Sequence, residues 1–136
     1  NRKMVSVNTT LQVDLTGQCA SESIGTLQLS GTGGQTETAS GARQSEGGKS
    51  IIALHSTANV KNADGERERV STIVPTQPAG MAISLMRADV DFVVTEYGVA
   101  SLRGASVRDR AMELISIAHP DYRDQLMYDA KRLYLM

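Results

Sequence analysis

The sequence has no tryptophan, one phenylalanine, one cysteine and three prolines in 136 residues. The lone Cys19 has no partner for an intrachain disulfide, so a reducing compartment, and with it a cytoplasmic location, is the expectation. An excess of either charge is missing too: 14 Lys and Arg stand against 15 Asp and Glu, a net charge of −1. That balance argues for neither nucleic acid nor an anionic membrane as a partner. Tyr122, Tyr128 and Tyr134 read as helix packing, because a base-stacking platform needs a basic groove that is absent here. No apolar run approaches the ~20 residues of a membrane span, no basic-then-apolar leader opens the chain, and no internal repeat or low-complexity segment is present.

The same scarcity removes several chemistries. His55 and His119 lie far apart with no Cys/His cluster at ligand spacing, so no metal site is expected. Gly31, Gly33 and Gly34 are not followed by Lys-Ser/Thr, which excludes a phosphate-binding P-loop, and their spacing lacks the dinucleotide fingerprint. Ser30 is not in a G-x-S-x-G elbow.

What the sequence does have is a glycine-dense turn, Ser30-Gly31-Thr32-Gly33-Gly34-Gln35, between two apolar runs. Such a turn permits positive φ and a close approach to the backbone. Its successive N–H groups can converge on a phosphate, a carboxylate or a developing oxyanion. The plainer alternative is a punctuating turn. A helix beginning just beyond Gly34 would add its N-terminal dipole to the anion-binding case, although the following ETASGA is a poor helix former.

Around this turn, period-two alternation in Met4–Leu15, with Val5, Val7, Leu11, Val13 and Leu15 as the apolar set, predicts one or two half-buried strands. Thr16-Gly17-Gln18 reads as a turn, and Ser21 and Ser23 as caps of a single helical turn. Thr26–Leu29 and Ser50–Ala58 read as strands, and Arg69–Pro75 as a strand returning antiparallel across a loop with Asp64-Gly65 at its tip. Val90–Val94 is a further strand running into Thr95-Glu96-Tyr97-Gly98. Ser106 with Asp109 three residues on caps a helix whose apolar face is Val107, Ala111, Leu114, Ile115 and Ala118. Pro120 ends that helix and opens another bearing Tyr122, Leu126, Ala130 and Leu133. Strands first and helices last predict an α/β or α+β domain. Strand-like sequence begins almost at Asn1, so a piece of a longer protein is the expectation.

Glu96 is the acid of most interest, because it ends an apolar strand where open α/β sheets place their sites. A partly desolvated carboxylate there has a perturbed pKa more often than a surface acid. The alternative is an ion pair with Arg87 or Arg103, or a turn cap. Arg103, Arg108 and Arg110 read as a solvated face.

LQVDLTGQ (Leu11–Gln18), SESIGT (Ser21–Thr26), SGTGGQ (Ser30–Gln35), the run Gly47–Ala58, STIVP (Ser71–Pro75), DVDFVVTEYGVASLRG (Asp89–Gly104) and IAHPDYRD (Ile117–Asp124) occur in this order. Together they resemble the C-terminal domain of the acetyl-CoA hydrolase/transferase family, and the resemblance spans nearly the whole chain. It implies an open α/β sheet with packed helices over residues 1–136, the C-terminal half of a two-domain CoA-transferase. It also implies covalent catalysis through a glutamate that attacks an acyl-CoA thioester. Coenzyme A enters as substrate, with no metal, alongside a short-chain carboxylate such as acetate, butyrate or 4-hydroxybutyrate. The nucleophilic glutamate of the family lies upstream of the VDLTGQ-type segment and is therefore expected outside this chain; it is not Glu96. The resemblance assigns an oxyanion-hole N–H to Gly34 and a site-arranging role to Glu96. It assigns the thioester end of the CoA channel to Ser30, Gly31, Gly33, Gly34 and Gln35, and CoA or loop positioning to Lys49. Partners implied are the missing N-terminal domain and a second copy in a homo-oligomer, expected to be a dimer.

The chain departs from the family where Thr36–Gly41 replaces an aromatic and an arginine that often follow the turn, and where His55 replaces a common proline. Three readings remain beside CoA transfer: an acyl-CoA hydrolase on the same scaffold, a CoA- or anion-binding module without a nucleophile, and a structural domain.

Overall fold

The computed structural model describes residues 1–136. The alternating stretch near the start forms two strands, β1 (Val5–Thr9) and β2 (Gln12–Asp14). Between them and the glycine turn lie β3 (Cys19–Ala20), β4 (Ser23–Ile24) and β5 (Leu27–Gln28). The helical turn expected at Ser21 and Ser23 is not formed. β4 and β5 instead pair antiparallel around Gly25, whose φ of +56° reverses the chain, and the Ser23 hydroxyl accepts the Ala82 N–H rather than capping a helix.

A helix does start just beyond Gly34: α1 spans Gln35–Gln44 despite its weak propensity. Ala39 and Ala42 are fully buried on it, so packing supplies what propensity lacks. β6 (Lys49–Ala53) follows. The single strand expected over Ser50–Ala58 is broken: Lys49–Ala53 joins the main sheet, and it is β7 (Thr57–Lys61), reaching into the expected loop, that pairs antiparallel with β8 (Arg67–Ser71) as a hairpin. At its tip the Asn62 side chain accepts the N–H groups of Asp64 and Glu66, and Gly65 takes a φ of +77°. β9 (Ile73–Val74) and a short 3-10 turn at Arg87–Asp89 lead to β10 (Phe92–Thr95). Thr95-Glu96-Tyr97-Gly98 is the bend of a tight hairpin into β11 (Gly98–Ser101), an element that the sequence pattern did not announce.

Two helices close the chain, α2 (Val107–Ser116) and α3 (Pro120–Arg132). The Ser106 hydroxyl accepts the Asp109 N–H at 3.1 Å, the cap read from the sequence, and donates to the Asp109 carboxylate at 2.8 Å. His119 Nδ1 accepts the Asp121 N–H, and Pro120 occupies the first helical position, where a missing N–H costs nothing. Arg110, expected on a solvated face, turns inward and donates to the carbonyls of Thr16 and Arg87.

The main sheet has the order β1–β6–β10–β11, parallel across the first three strands with β11 antiparallel at the edge. α1 packs on β1 and β6, and α2 packs beside β11, with α3 against α2. Ile52, Val93 and Ala100 on the helix-bearing face are fully buried and join Leu102 and Leu114 in the core. A smaller sheet, β3–β2–β9, buries Val13, Cys19 and Ile73 against the same core. No helix is long and apolar enough to cross a membrane.

Candidate active site

β1, β6 and β10 run parallel and finish side by side, with Thr9, Ala53 and Val94 in register. The carboxyl edge of such strands is where open α/β sheets hold their ligands. Two concavities meet there and share Thr9.

The first is a cleft of about 270 Å³ with no hydrophobic residue in its lining. Ser30, Gly31, Thr32, Gly33, Gly34 and Gln35 form one wall, facing Asn8, Thr9, Ser21, Glu22 and Ser84. None of the three glycines takes a positive φ, contrary to the conformational reason the turn first offered. A Cβ added to Gly31, Gly33 or Gly34 would meet nothing within 4 Å. Glycine here leaves the backbone open to approach from the cleft, and bending the chain is not its task.

Gly34 is the N-cap of α1, with φ −88° and no side-chain cap. The first-turn N–H groups of a helix have no intrahelical acceptor, so this end is favourable for negative charge. The turn is pinned at its far side. Gln35 Nε2 donates to the Thr9 carbonyl at 3.2 Å, and Gln35 Oε1 accepts from the Ser21 hydroxyl at 2.8 Å. Thr36 Oγ1 donates to the Ser84 carbonyl at 2.5 Å. The glycine wall is thus fixed to the sheet edge by one amide side chain.

The second concavity, of about 450 Å³, is lined by Thr9, Ala53, Leu54, His55, Val94, Thr95 and Glu96. Glu96 does not pair with Arg87 or Arg103. Its carboxylate accepts the Ser56 N–H at 3.0 and 3.2 Å and a short hydrogen bond from the Ser56 hydroxyl, with His55 Nδ1 3.9 Å away. Partial desolvation works to raise this carboxyl. The Ser56 hydroxyl, the Glu96 and Ser56 N–H groups and the nearby His55 outweigh that and hold it below the usual carboxylate range. A carboxylate held in this way is ionised and oriented, and its lone pairs are already engaged, so it suits placing and polarising better than attack.

The Glu96 bend is fastened to the α2–α3 junction. Thr95 Oγ1 donates to the Ile117 carbonyl at 2.6 Å and accepts the Tyr97 N–H at 3.1 Å. The Tyr97 ring meets the His119 ring edge-on at 5.5 Å, and the Arg123 guanidinium lies over it at 5.5 Å. The two segments TEYG and HPDYR therefore form one structural unit.

Ser30, Gly31, Gly33, Gly34 and Gln35 are brought together, and Glu96 stands across Thr9 from them. Lys49 is not with them. It opens β6, opposite Val5 at the amino end of the sheet, about 13 Å of strand away from Ala53. Sequence reading missed Asn8, Thr9, Ser21, Ser56 and Ser84. Small polar residues carry no periodic signal, and the one available hint for Ser21 and Ser56 was their place inside the quoted segments.

Residues 1–130 match the acetyl-CoA hydrolase/transferase C-terminal domain. The chain is 51% identical over 133 residues to a succinyl-CoA:cyclohexane-1-carboxylate CoA transferase of Geobacter metallireducens, covering 98% of this chain and 29% of that protein. It is 49% identical over 134 residues to a 4-hydroxybutyrate coenzyme A transferase of Clostridium kluyveri, covering 98% and 30%. The solved structure of RipA from Yersinia pestis superposes with a TM-score of 0.82 at 44% identity, covering 97% of this chain and 28% of that one. The chain thus spans less than a third of the length of the curated relatives it matches.

Proposed function

This chain belongs to the acetyl-CoA hydrolase/transferase family as its C-terminal domain, and on that premise we propose that the full-length protein transfers CoA between a short-chain acyl-CoA and a carboxylate. The observation that carries the reading is the open glycine wall at the α1 N-terminus, set across Thr9 from an oriented, ionised Glu96.

In the proposed reaction a glutamate from outside this chain attacks the thioester carbonyl. A carbon–oxygen bond forms, the carbon–sulfur bond breaks, and CoA leaves as thiolate from an acyl-glutamyl anhydride. The thiolate then attacks the glutamyl carbonyl, expels the first carboxylate and leaves a glutamyl-CoA thioester. A second carboxylate reverses the two steps, so the thioester energy is passed on rather than lost to water. Gly34 is the proposed N–H donor to the oxyanion, and Ser30 to Gln35 the proposed seat of the thioester end of CoA. Glu96 is the proposed positioning residue beside the incoming glutamate. Lys49, at the far end of β6, has no part in the proposal.

The family name also covers hydrolysis, which differs only in whether water reaches the anhydride. Butyryl-CoA with isotope-labelled acetate, followed by mass spectrometry of the CoA esters, separates the two in the full-length protein. Transfer gives labelled acetyl-CoA in proportion to acetate; hydrolysis gives free CoA whether acetate is present or not. Gly34→Pro removes the N–H at a φ of −88°, just beyond the proline range of about −65 ± 15°, and an oxyanion donor there predicts a fall in kcat of about 10²–10³. Gly34→Pro at wild-type kcat would remove Gly34 from the mechanism.

A further inference from the structure

The two concavities at the sheet edge are lined by two carboxylates, Glu22 in the first and Glu96 in the second, and by no lysine or arginine. A reaction that takes up a free carboxylate must bring a further negative charge to this edge. Repulsion between two unit charges about 4 Å apart weakens binding by about 10-fold or more once water is partly excluded.

One residue of the chain can offset that repulsion. His55 lines the same concavity as Glu96, with Nδ1 3.9 Å from Glu96 Oε2. Its backbone is fixed on both sides: the His55 carbonyl accepts the Thr72 hydroxyl, and the Ser56 N–H that follows donates to Glu96. The imidazole itself is 94% exposed, so its Nε2 is open to a ligand. Histidine is the side chain that changes charge between about pH 5 and 8, and His55 is the one residue lining either concavity that can become a cation. Glu96 is the only charged group facing it; β1 and β6 contribute Thr9, Ala53 and Leu54. The neighbouring bases are engaged elsewhere, with Arg123 over Tyr97, Arg69 on Asp121 and His119 capping α3.

We propose, resting on the CoA-transfer function above, that His55 binds the acceptor carboxylate: the imidazolium faces Glu96 through Nδ1 and holds one oxygen of the incoming acid through Nε2. The two carboxylates then share a cation instead of facing each other, and the second oxygen of the acceptor stays free to attack. Loss of the proton removes the cation, so acceptor binding weakens as pH rises.

The test is steady-state transfer from butyryl-CoA to labelled acetate by the full-length protein at about pH 6 and pH 8, comparing wild type, His55→Gln and His55→Lys. The wild-type KM for acetate is expected to rise about 10-fold from the lower to the higher pH. His55→Gln should show the high value at both, with its KM for butyryl-CoA within about 2-fold of wild type. His55→Lys, charged throughout, should restore the low KM for acetate and flatten its pH dependence, a rescue that a merely structural role would not give. A His55→Gln protein with the wild-type acetate KM at pH 6, or with both KM values raised in parallel, overturns the inference and leaves CoA transfer standing. No labelled acetyl-CoA from the wild type overturns CoA transfer, and the inference with it.

Discussion

The two faces of the main sheet are built from the same strands and have opposite chemistry. Under α1 and α2 the strands offer Ser6, Ser50, Ile52, Val93, Thr95 and Ala100, all buried and half of them polar. On the open face the same strands offer six large apolar side chains, three of them more than half exposed. A domain designed to stand alone would put the valines of β1 inward and its serine outward. Here Ser6 is 7% exposed while Val5 and Val7 face solvent, the reverse of that arrangement.

That contrast is open to direct attack by mutation. Ile52→Ala, on the covered face, should lower stability by about 2–5 kcal/mol in urea unfolding. Val7→Ala, on the open face, should stay within ~0.5 kcal/mol in the 136-residue chain. Comparable losses for the two would erase the distinction between the faces. Ser106→Ala loosens the helix that packs beside β11 by removing its hydroxyl cap, and about 1 kcal/mol is expected from the same unfolding curves.

The smallest effect lies at the edge where the faces meet. Glu96 is held below its ordinary value of 4.5, so it contributes stability that is present at neutral pH and lost as pH falls through its folded-state pKa. Ser56→Ala withdraws the hydroxyl donor and should raise the Glu96 carboxyl toward that ordinary value. The loss is then expected at neutral pH and should vanish in acid, where both forms are protonated. A Ser56→Ala deficit that persists unchanged below pH ~3 would mean that the hydroxyl acts through packing and not through the carboxylate.

The sequence was most legible where one residue settles a local question. Ser106 with Asp109, Pro120 after His119, and Asp64-Gly65 each fix a cap or a turn by chemistry confined to a few neighbours, and all three stand as read. It was least legible where the answer lies across the molecule. The alternation in β1 was visible, but its direction was not: Ser6 is buried while Val5 and Val7 face solvent, the reverse of what burial of the apolar set predicts. β3 and β4 took the place of an expected helical turn because Ser23 finds its partner at Ala82 and Cys19 bridges to Leu85. Arg110 turned inward for carbonyls at Thr16 and Arg87 that no local pattern discloses. In the site, the glycine turn and Glu96 were evident as unusual residues. Their shared edge at Thr9, and the place of Lys49 at the opposite end of β6, came only with the strand register.

The central claim is that this chain supplies one side of a CoA-transfer site, with Glu96 placing a nucleophile that comes from elsewhere in the polypeptide. The most direct measurement incubates the 136-residue chain and the full-length protein separately with butyryl-CoA and labelled acetate, and follows label into the CoA esters by mass spectrometry. The account predicts labelled acetyl-CoA from the full-length protein and none from the chain alone. Labelled acetyl-CoA from the chain alone, at the full-length rate and abolished by Glu96→Gln, would make Glu96 the nucleophile and contradict the account.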